Sequence, residues 1–271
     1  MSARTSAKNK SKRNRRRHRT IKRKQRKIIR FVSAGFLFIL LSVIIIHFVR
    51  LRNSVFHTFD DSEFSDKYFV RGIDVSHHNS FINWEQLRDE NVTFVYLKST
   101  EGMSHKDRNY KSNYRAAKTA GLKVGTYHFY IFGLNGRRQA AHFIRNSNIH
   151  SGDLIPAIDV EHSRINVDSR NKSSRAKMLT ELKNLEQAMF EHYGKHPIIY
   201  TNKDCYNAYI ESEFPDNPIW ICDLHQEPTV ARDEWVIWQF SHTGRLAAAA
   251  DDIDLNYYRY SFADFQQLLM P

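Results

Sequence analysis

The chain has 271 residues, room for one large domain and an appendage, and its 41 basic against 29 acidic residues give a formal charge of +12. That excess is local: residues 1–30 hold 15 Lys or Arg and no acid, so the remainder carries 26 basic and 29 acidic side chains, a net of −3. A nucleic-acid-binding face across the folded part is thereby excluded, because the domain itself is mildly acidic.

Residues 1–30 read as a basic cytoplasmic tail that touches anionic lipid, with no specific nucleic acid as partner. Residues 31–49 follow, 19 in number, with His47 the one strongly polar member. As a helix this run spans about 30 Å, the thickness of a bilayer's hydrocarbon core. It predicts a single uncleaved transmembrane signal anchor in a bacterial cytoplasmic membrane; a cleaved signal peptide with an unusually basic amino-terminal region is the competing interpretation. The charge bias keeps the amino terminus in the cytoplasm and the rest outside. Residues 50–67, with Asp60-Asp61-Ser62-Glu63, read as a polar stalk, and the catalytic domain is expected over 68–271.

From Tyr68 onward strand-like and helix-like runs alternate. Strands are predicted over 69–75, 94–98, 123–129, 154–160, 197–200, 219–222, 235–240 and 253–255, and helices over 84–89, 110–120, 137–146 and 174–193. In the last helix Leu179, Leu182, Leu185, Ala188 and Met189 recur at helical spacing, and Gly121 and Gly194 stand where a left-handed terminating residue belongs. The alternation argues for βαβ units and an α/β fold with a parallel sheet. Roughly 190 residues is short for a full (β/α)₈ barrel, which takes about 250. The expectation is a modified, incomplete (β/α) barrel of about eight strands with few helices between the last ones, an open doubly wound sheet being the runner-up.

In either fold, polar residues at the carboxyl ends of strands converge on the ligand site. Asp159 and Glu161 share one face of a strand, about 6.6 Å apart along the backbone. Paired carboxyls in a partly dry site have pKa values pushed apart, so that one can donate a proton while the other stays charged. Asp74 and Asp254 lie near the ends of two further strands. Tyr127, Tyr200, Trp220, Trp235 and Trp238, with the amide of Gln239, add the apolar faces and polar rims that sugar rings require. Lys98 and Glu101 are placed to form an ion pair at the floor of such a groove. Cys205 and Cys222 are the two cysteines, and a disulfide and two free thiols both remain open.

The ordered set GIDVSHHN, YLKSTEG, GLKVGTYHFY, AIDVEH, IIYTN, IWICDL, WQFS and DIDLNYY, from about Tyr68 to Tyr258, resembles the family-25 glycoside hydrolases, muramidases of the lysozyme type. The resemblance implies a modified barrel of five βα units and three further strands. It also implies cleavage of the β-1,4 bond between N-acetylmuramic acid and N-acetylglucosamine in peptidoglycan, with retention and without a cofactor or metal. It makes Glu161 the general acid, adds Asp159, Asp74 and Asp254 to the acidic site, and puts Tyr127, Tyr200 and Trp238 at substrate-binding positions. Cys222 departs from the pattern, standing where such enzymes often have Ala. Two other readings stand beside this one: a metal-dependent polysaccharide deacetylase using Asp74, His77, His78 and Asp159, and a non-catalytic peptidoglycan-binding module. Oligomeric state is left open by the sequence.

Overall fold

Eight strands hydrogen-bond in a closed ring: β1 (Val70–Val75), β2 (Val92–Glu101), β4 (Lys123–Phe129), β5 (Ala157–Val160), β6 (Ile198–Asn202), β7 (Ile219–Cys222), β8 (Trp235–Gly244) and β9 (Ile253–Tyr258). The short β3 (His105–Lys106) folds back on the end of β2. These elements belong to a computed structural model that describes residues 35, 39–44, 58–60, 64–167, 171–230 and 235–271. Pairing runs β1-β9-β8-β7-β6-β5-β4-β2 and back to β1. The barrel is thus closed, and what the fold lacks relative to a full (β/α)₈ barrel is helices. All contacts from β1 through β2 and β4 to β8 are parallel, whereas β9 is antiparallel to both β8 and β1.

Residues 39–44 are helical. Among the described residues no helix is long and apolar enough to cross a membrane, and most of the expected span over 31–49 lies outside them. The tail 1–30 lies wholly outside them.

Helices follow the early strands. They are α1 (Trp84–Asp89), α2 (Tyr110–Thr119), α3 (Gly136–Asn146) and α4 (Lys172–Tyr193). Asn83, Asn135 and Asn171 cap α1, α3 and α4, each side chain accepting from a backbone N–H of the first turn. Gly194 ends α4 in the left-handed region at φ 70°. After β6 the chain makes only the short α5 (Lys203–Cys205) and a π turn over Tyr206–Ile210, and between β7 and β9 no helix appears among the described residues.

Side chains alternate across each strand, and both faces are buried, so the strands read as nearly continuous apolar runs. Outward-facing Ile73, Val95, Val124, Ile158, Ile199 and Ile221 pack against Leu87, Ala117, Leu182, Leu185 and Met189 of the helices. Fully burying each such aliphatic side chain contributes about 1.5–3 kcal/mol. Inward-facing Val70, Phe94, Tyr96, Ala157, Ile198, Trp220, Ile237 and Tyr258 form a separate interior cluster, closed by Phe265 of α6 (Phe262–Phe265) and by Leu268. These rings fit because their neighbours are small. A Cβ on Gly125 would lie 2.2 Å from the Tyr96 ring, and one on Gly72 would lie 2.2 Å from Phe94. The plug fills the amino-terminal half of the barrel, so the space left is at the carboxyl end.

The packed domain begins before the expected boundary at residue 68. Phe59 is 2% exposed and lies against Phe240 and Tyr257, and Phe64 packs edge-on to Trp238 at 4.8 Å. These two residues, placed in the stalk by their polar neighbours, are apolar anchors on the outside of the barrel. Strand bounds shift as well: Phe69 is exposed and precedes β1, β2 runs on to include Glu101, and β5 starts at Ala157 because Pro156 has no N–H to donate to the ladder.

Candidate active site

The carboxyl end of the ring opens into a cavity of about 290 Å³ lined by four acids, Asp74, Asp159, Glu161 and Asp254. Three come from the ends of parallel strands: Asp74 from β1, and Asp159 and Glu161 from β5 and the residue just after it. Asp254 reaches the same place by another route. Because β9 runs antiparallel, its second residue lies at the carboxyl end of its neighbours, and Asp254 pairs directly with Asp74 in the register.

Amides hold Asp74. Gln239 Nε2 and Asn256 Nδ2 each donate to its Oδ2 at 2.8 Å. Those amides are held in turn, since Tyr200 Oη donates to Gln239 Oε1 at 2.8 Å and Trp220 Nε1 donates to Asn256 Oδ1 at 2.7 Å. One continuous network thus ties β6, β7, β8, β9 and β1 together under the cavity floor. Burial, and then the charge of Asp254, pushes the Asp74 carboxyl well above the usual range, while the two amide donors pull the other way.

His242 supplies the cavity's cation. Its Nδ1 lies 2.8 Å from Asp254 Oδ1, and its Nε2 lies 3.7 Å from Cys222 Sγ. The bond to Asp254, then that to Cys222, pushes the imidazole up to about 11, so it is charged through neutral pH. Cys205 and Cys222 are both free thiols.

Asp159 is buried, and Glu161, two residues on, is half-buried. Burial comes first for both: it raises Glu161, opposed by His242, and raises Asp159 well above the carboxylate range, with the charge of Glu161 adding to it. Asp159 Oδ1 is buried with no hydrogen-bond partner. Burial thus moves both carboxyls in the same direction, where the sequence reading expects Asp159 to stay charged beside a protonated Glu161. Mutual repulsion separates the two acids, and burial lifts them together.

Tyr127, Tyr200 and Gln239 line the cavity as expected. Trp238 does not. It faces outward, packed against Phe64, Tyr68 and Trp235, with its Nε1 donating to the Asp223 carbonyl at 2.8 Å. The reason is alternation: Gln239 points in, so its neighbour points out. Trp220 is the indole that faces the site. Lys98 and Glu101 do pair, at 2.7 Å, with Lys98 Nζ also 4.7 Å from the Phe129 ring centre. They stand outside the cavity lining, but the Lys98 charge favours the ionised forms of Asp159 and Glu161.

The model of glycosyl hydrolases family 25 matches residues 73–249, the stretch from within β1 to beyond β8 that carries three of the four acids. The chain belongs to glycosyl hydrolases family 25. Lysozyme M1 of Streptomyces globisporus is 31% identical over 209 residues, covering 73% of this chain and 71% of the relative. Among solved structures, a family 25 glycosyl hydrolase from Bacillus anthracis superposes with a TM-score of 0.70 at 32% identity, over 76% of this chain and 95% of that one. A bacterial lysozyme from Streptomyces coelicolor gives 0.69 at 30% identity, over 74% and 96%. As a family 25 enzyme the chain is a glycoside hydrolase, and the closed eight-strand barrel is the fold it shares with these structures.

Two residues of the site lie beyond the sequence reading. Asn256 shares a face with Asp254 and is legible from the strand period. His242 was not legible that way. Register shifts after Gln239 and after Ser241 break the alternation, so His242 faces the cavity against the count.

Proposed function

We propose that this chain is a lysozyme, a 1,4-β-N-acetylmuramidase that hydrolyses the bond between N-acetylmuramic acid and N-acetylglucosamine in peptidoglycan, with the glycan strand as its partner. One observation carries the mechanism: Asp159 has a buried carboxylate oxygen without a donor, in the cavity that Glu161 also lines. An unmet acceptor of this kind costs about 1–3 kcal/mol. The acetamido N–H of a bound sugar is the donor that suits it. Such a bond favours the charged form of Asp159, while Glu161 keeps its proton.

Catalysis then proceeds in two steps. Glu161 donates its proton to the leaving glycosidic oxygen while Asp159 orients the acetamido group, whose carbonyl oxygen attacks the anomeric carbon. Glu161, now a base, takes a proton from water as that water opens the intermediate, and two inversions give net retention. Direct attack by Asp159 is the other retaining route. Asp74 and Asp254 hold the sugar and tune the pair, and Tyr127, Tyr200 and Trp220 offer it ring faces and a hydroxyl. Lysozyme M1 and the Streptomyces coelicolor lysozyme support the substrate assignment.

The same reading anchors the enzyme to the cytoplasmic membrane through residues 31–49, amino terminus inside and catalytic domain outside, supported by the apolar run and the 15 basic residues before it. Tethering keeps the domain near the cell's own wall. Incubating the detergent-extracted chain with purified peptidoglycan should release muropeptides with muramic acid at the new reducing end. Glucosamine there, free acetate, or no cleavage would overturn the assignment. A soluble protein whose sequence begins after residue 50 would remove the anchor.

The alternatives gain no support. His77 Nδ1 is engaged 2.8 Å from Asp107, and among the described residues no three His, Cys, Asp or Glu side chains are grouped to hold a metal ion. A binding module does not require both members of the acid pair, and both are present.

A further inference from the structure

Cys222 stands two residues from Trp220 on β7 and therefore on the same face, beside the cavity lining that Trp220 and His242 supply. Its Sγ lies 3.7 Å from His242 Nε2, while the other ring nitrogen of His242 is fixed 2.8 Å from Asp254 Oδ1. Thiol, imidazole and carboxylate in this order are the arrangement that activates a cysteine nucleophile: the carboxylate orients the ring, and the imidazolium stabilises the thiolate. We propose that Cys222 is a nucleophilic thiolate, ion-paired to His242 in a Cys222–His242–Asp254 triad, and that peroxide or a small soft electrophile modifies it there and closes the sugar cleft.

The charges around the sulfur come from several elements. Asp254 on β9, Asp74 on β1 and Glu161 after β5 are acidic, and Tyr200 on β6 feels the Cys222 charge directly. These groups oppose a thiolate, and His242 opposes them. Asp254 keeps the ring charged up to about 11, so the cation is present wherever the thiol ionises. Cys205 is the internal contrast. It is fully buried in the outer core, and burial pushes its thiol up to about 12. The two thiols thus differ in setting, Cys222 facing a cation and Cys205 sealed among apolar side chains.

With hydrogen peroxide the step balances. The thiolate sulfur attacks one peroxide oxygen, an S–O bond forms and the O–O bond breaks. The departing hydroxide takes a proton from the His242 imidazolium and leaves as water. Sulfur loses two electrons and peroxide gains them, giving a sulfenic acid that a dithiol reduces. The added oxygen separates Sγ from His242 and intrudes beside Trp220. The thiol chemistry holds whatever the enzyme cleaves; only the closing of the cleft rests on the proposed function.

Iodoacetamide labelling of the reduced full chain, read by mass spectrometry of the two cysteine peptides from pH 5 to 10, tests the first half. Cys222 should label at pH 6 at least about tenfold faster than free cysteine, whose thiol ionises near 8.5, and Cys205 should lag further. His242→Gln should slow Cys222 about tenfold at pH 6 and recover at pH 9.5, a recovery that a misfolded chain would not give. An ordinary thiol profile in the wild type, or an unchanged rate in His242→Gln, overturns the ion pair. For the second half, peroxide should abolish peptidoglycan cleavage by the wild type, dithiothreitol should restore it, and Cys222→Ala should be immune. Equal inactivation of Cys222→Ala, or full activity with Cys222 trapped as its dimedone adduct, overturns the closing.

Discussion

Asp74 and Asp254 are cross-strand partners on antiparallel β1 and β9, and the protein holds these facing carboxyls in opposite ways. Asp74 receives two neutral amide donors, and Asp254 receives an imidazolium. Neutral amides tolerate either protonation state of Asp74, whereas the imidazolium brings a positive charge beside Asp254. Like charges side by side are thereby avoided without removing either acid from the cavity.

The first expectation concerns His242. Its folded-state value of about 11 lies above the ordinary 6.5, so the pair adds stability that is complete below pH 6.5 and is lost as pH rises through 11. The ring should show no titration between pH 5 and 9 by NMR. In Asp254→Asn it should titrate within that window. A His242 resonance moving with a midpoint near 6.5 in the wild type would contradict the ion pair.

Glu161→Gln should lower kcat on peptidoglycan at least about a hundredfold, the usual worth of a positioned general acid, with little change in thermal midpoint at pH 5. Because burial raises the Glu161 carboxyl, the alkaline limb of the wild-type kcat/KM profile should lie above the ordinary Glu value of about 4.3. Near-normal turnover by the variant would show that another group gives the proton.

Asp159→Asn should stabilise the fold. A carboxyl whose folded pKa is raised contributes stability present below its unfolded pKa of about 3.9 and lost as pH rises toward the folded value. At pH 7.5 the wild type bears that penalty and the amide does not. We expect a Tm higher by about 2–4 °C at pH 7.5, the equivalent of about 1 kcal/mol, and no difference at pH 3.5. Melts with the opposite pH trend would mean that Asp159 is ionised and well solvated.

Gly125→Ala should cost about 1–3 kcal/mol, because its Cβ would sit 2.2 Å from the Tyr96 ring in a plug with no free volume. Urea unfolding should show a lower midpoint with an unchanged slope. A neutral result would indicate that the barrel interior is loosely packed.

Much of this was legible from strand period alone. Alternation placed Asp74, Asp159, Tyr200 and Gln239 at one mouth, and the same rule, carried through, would have turned Trp238 outward. Three things resisted. The bulges in β8 hid His242, since a local insertion leaves no mark in an alternating pattern. Phe59 and Phe64 were masked by the acids between them. The antiparallel course of β9 is set by a chain reversal that periodicity does not record, although it is what delivers Asp254.

That last strand has a consequence for biosynthesis. β9 zips between the first and eighth strands, so the ring stays an open trough with an unpaired seam until residue 258 has left the ribosome. Asp254 and Asn256 arrive in that same final stitch. A polypeptide cut short before β9 therefore keeps Asp159 and Glu161 but lacks Asp254, one of the two amides that hold Asp74, and the closure of its barrel.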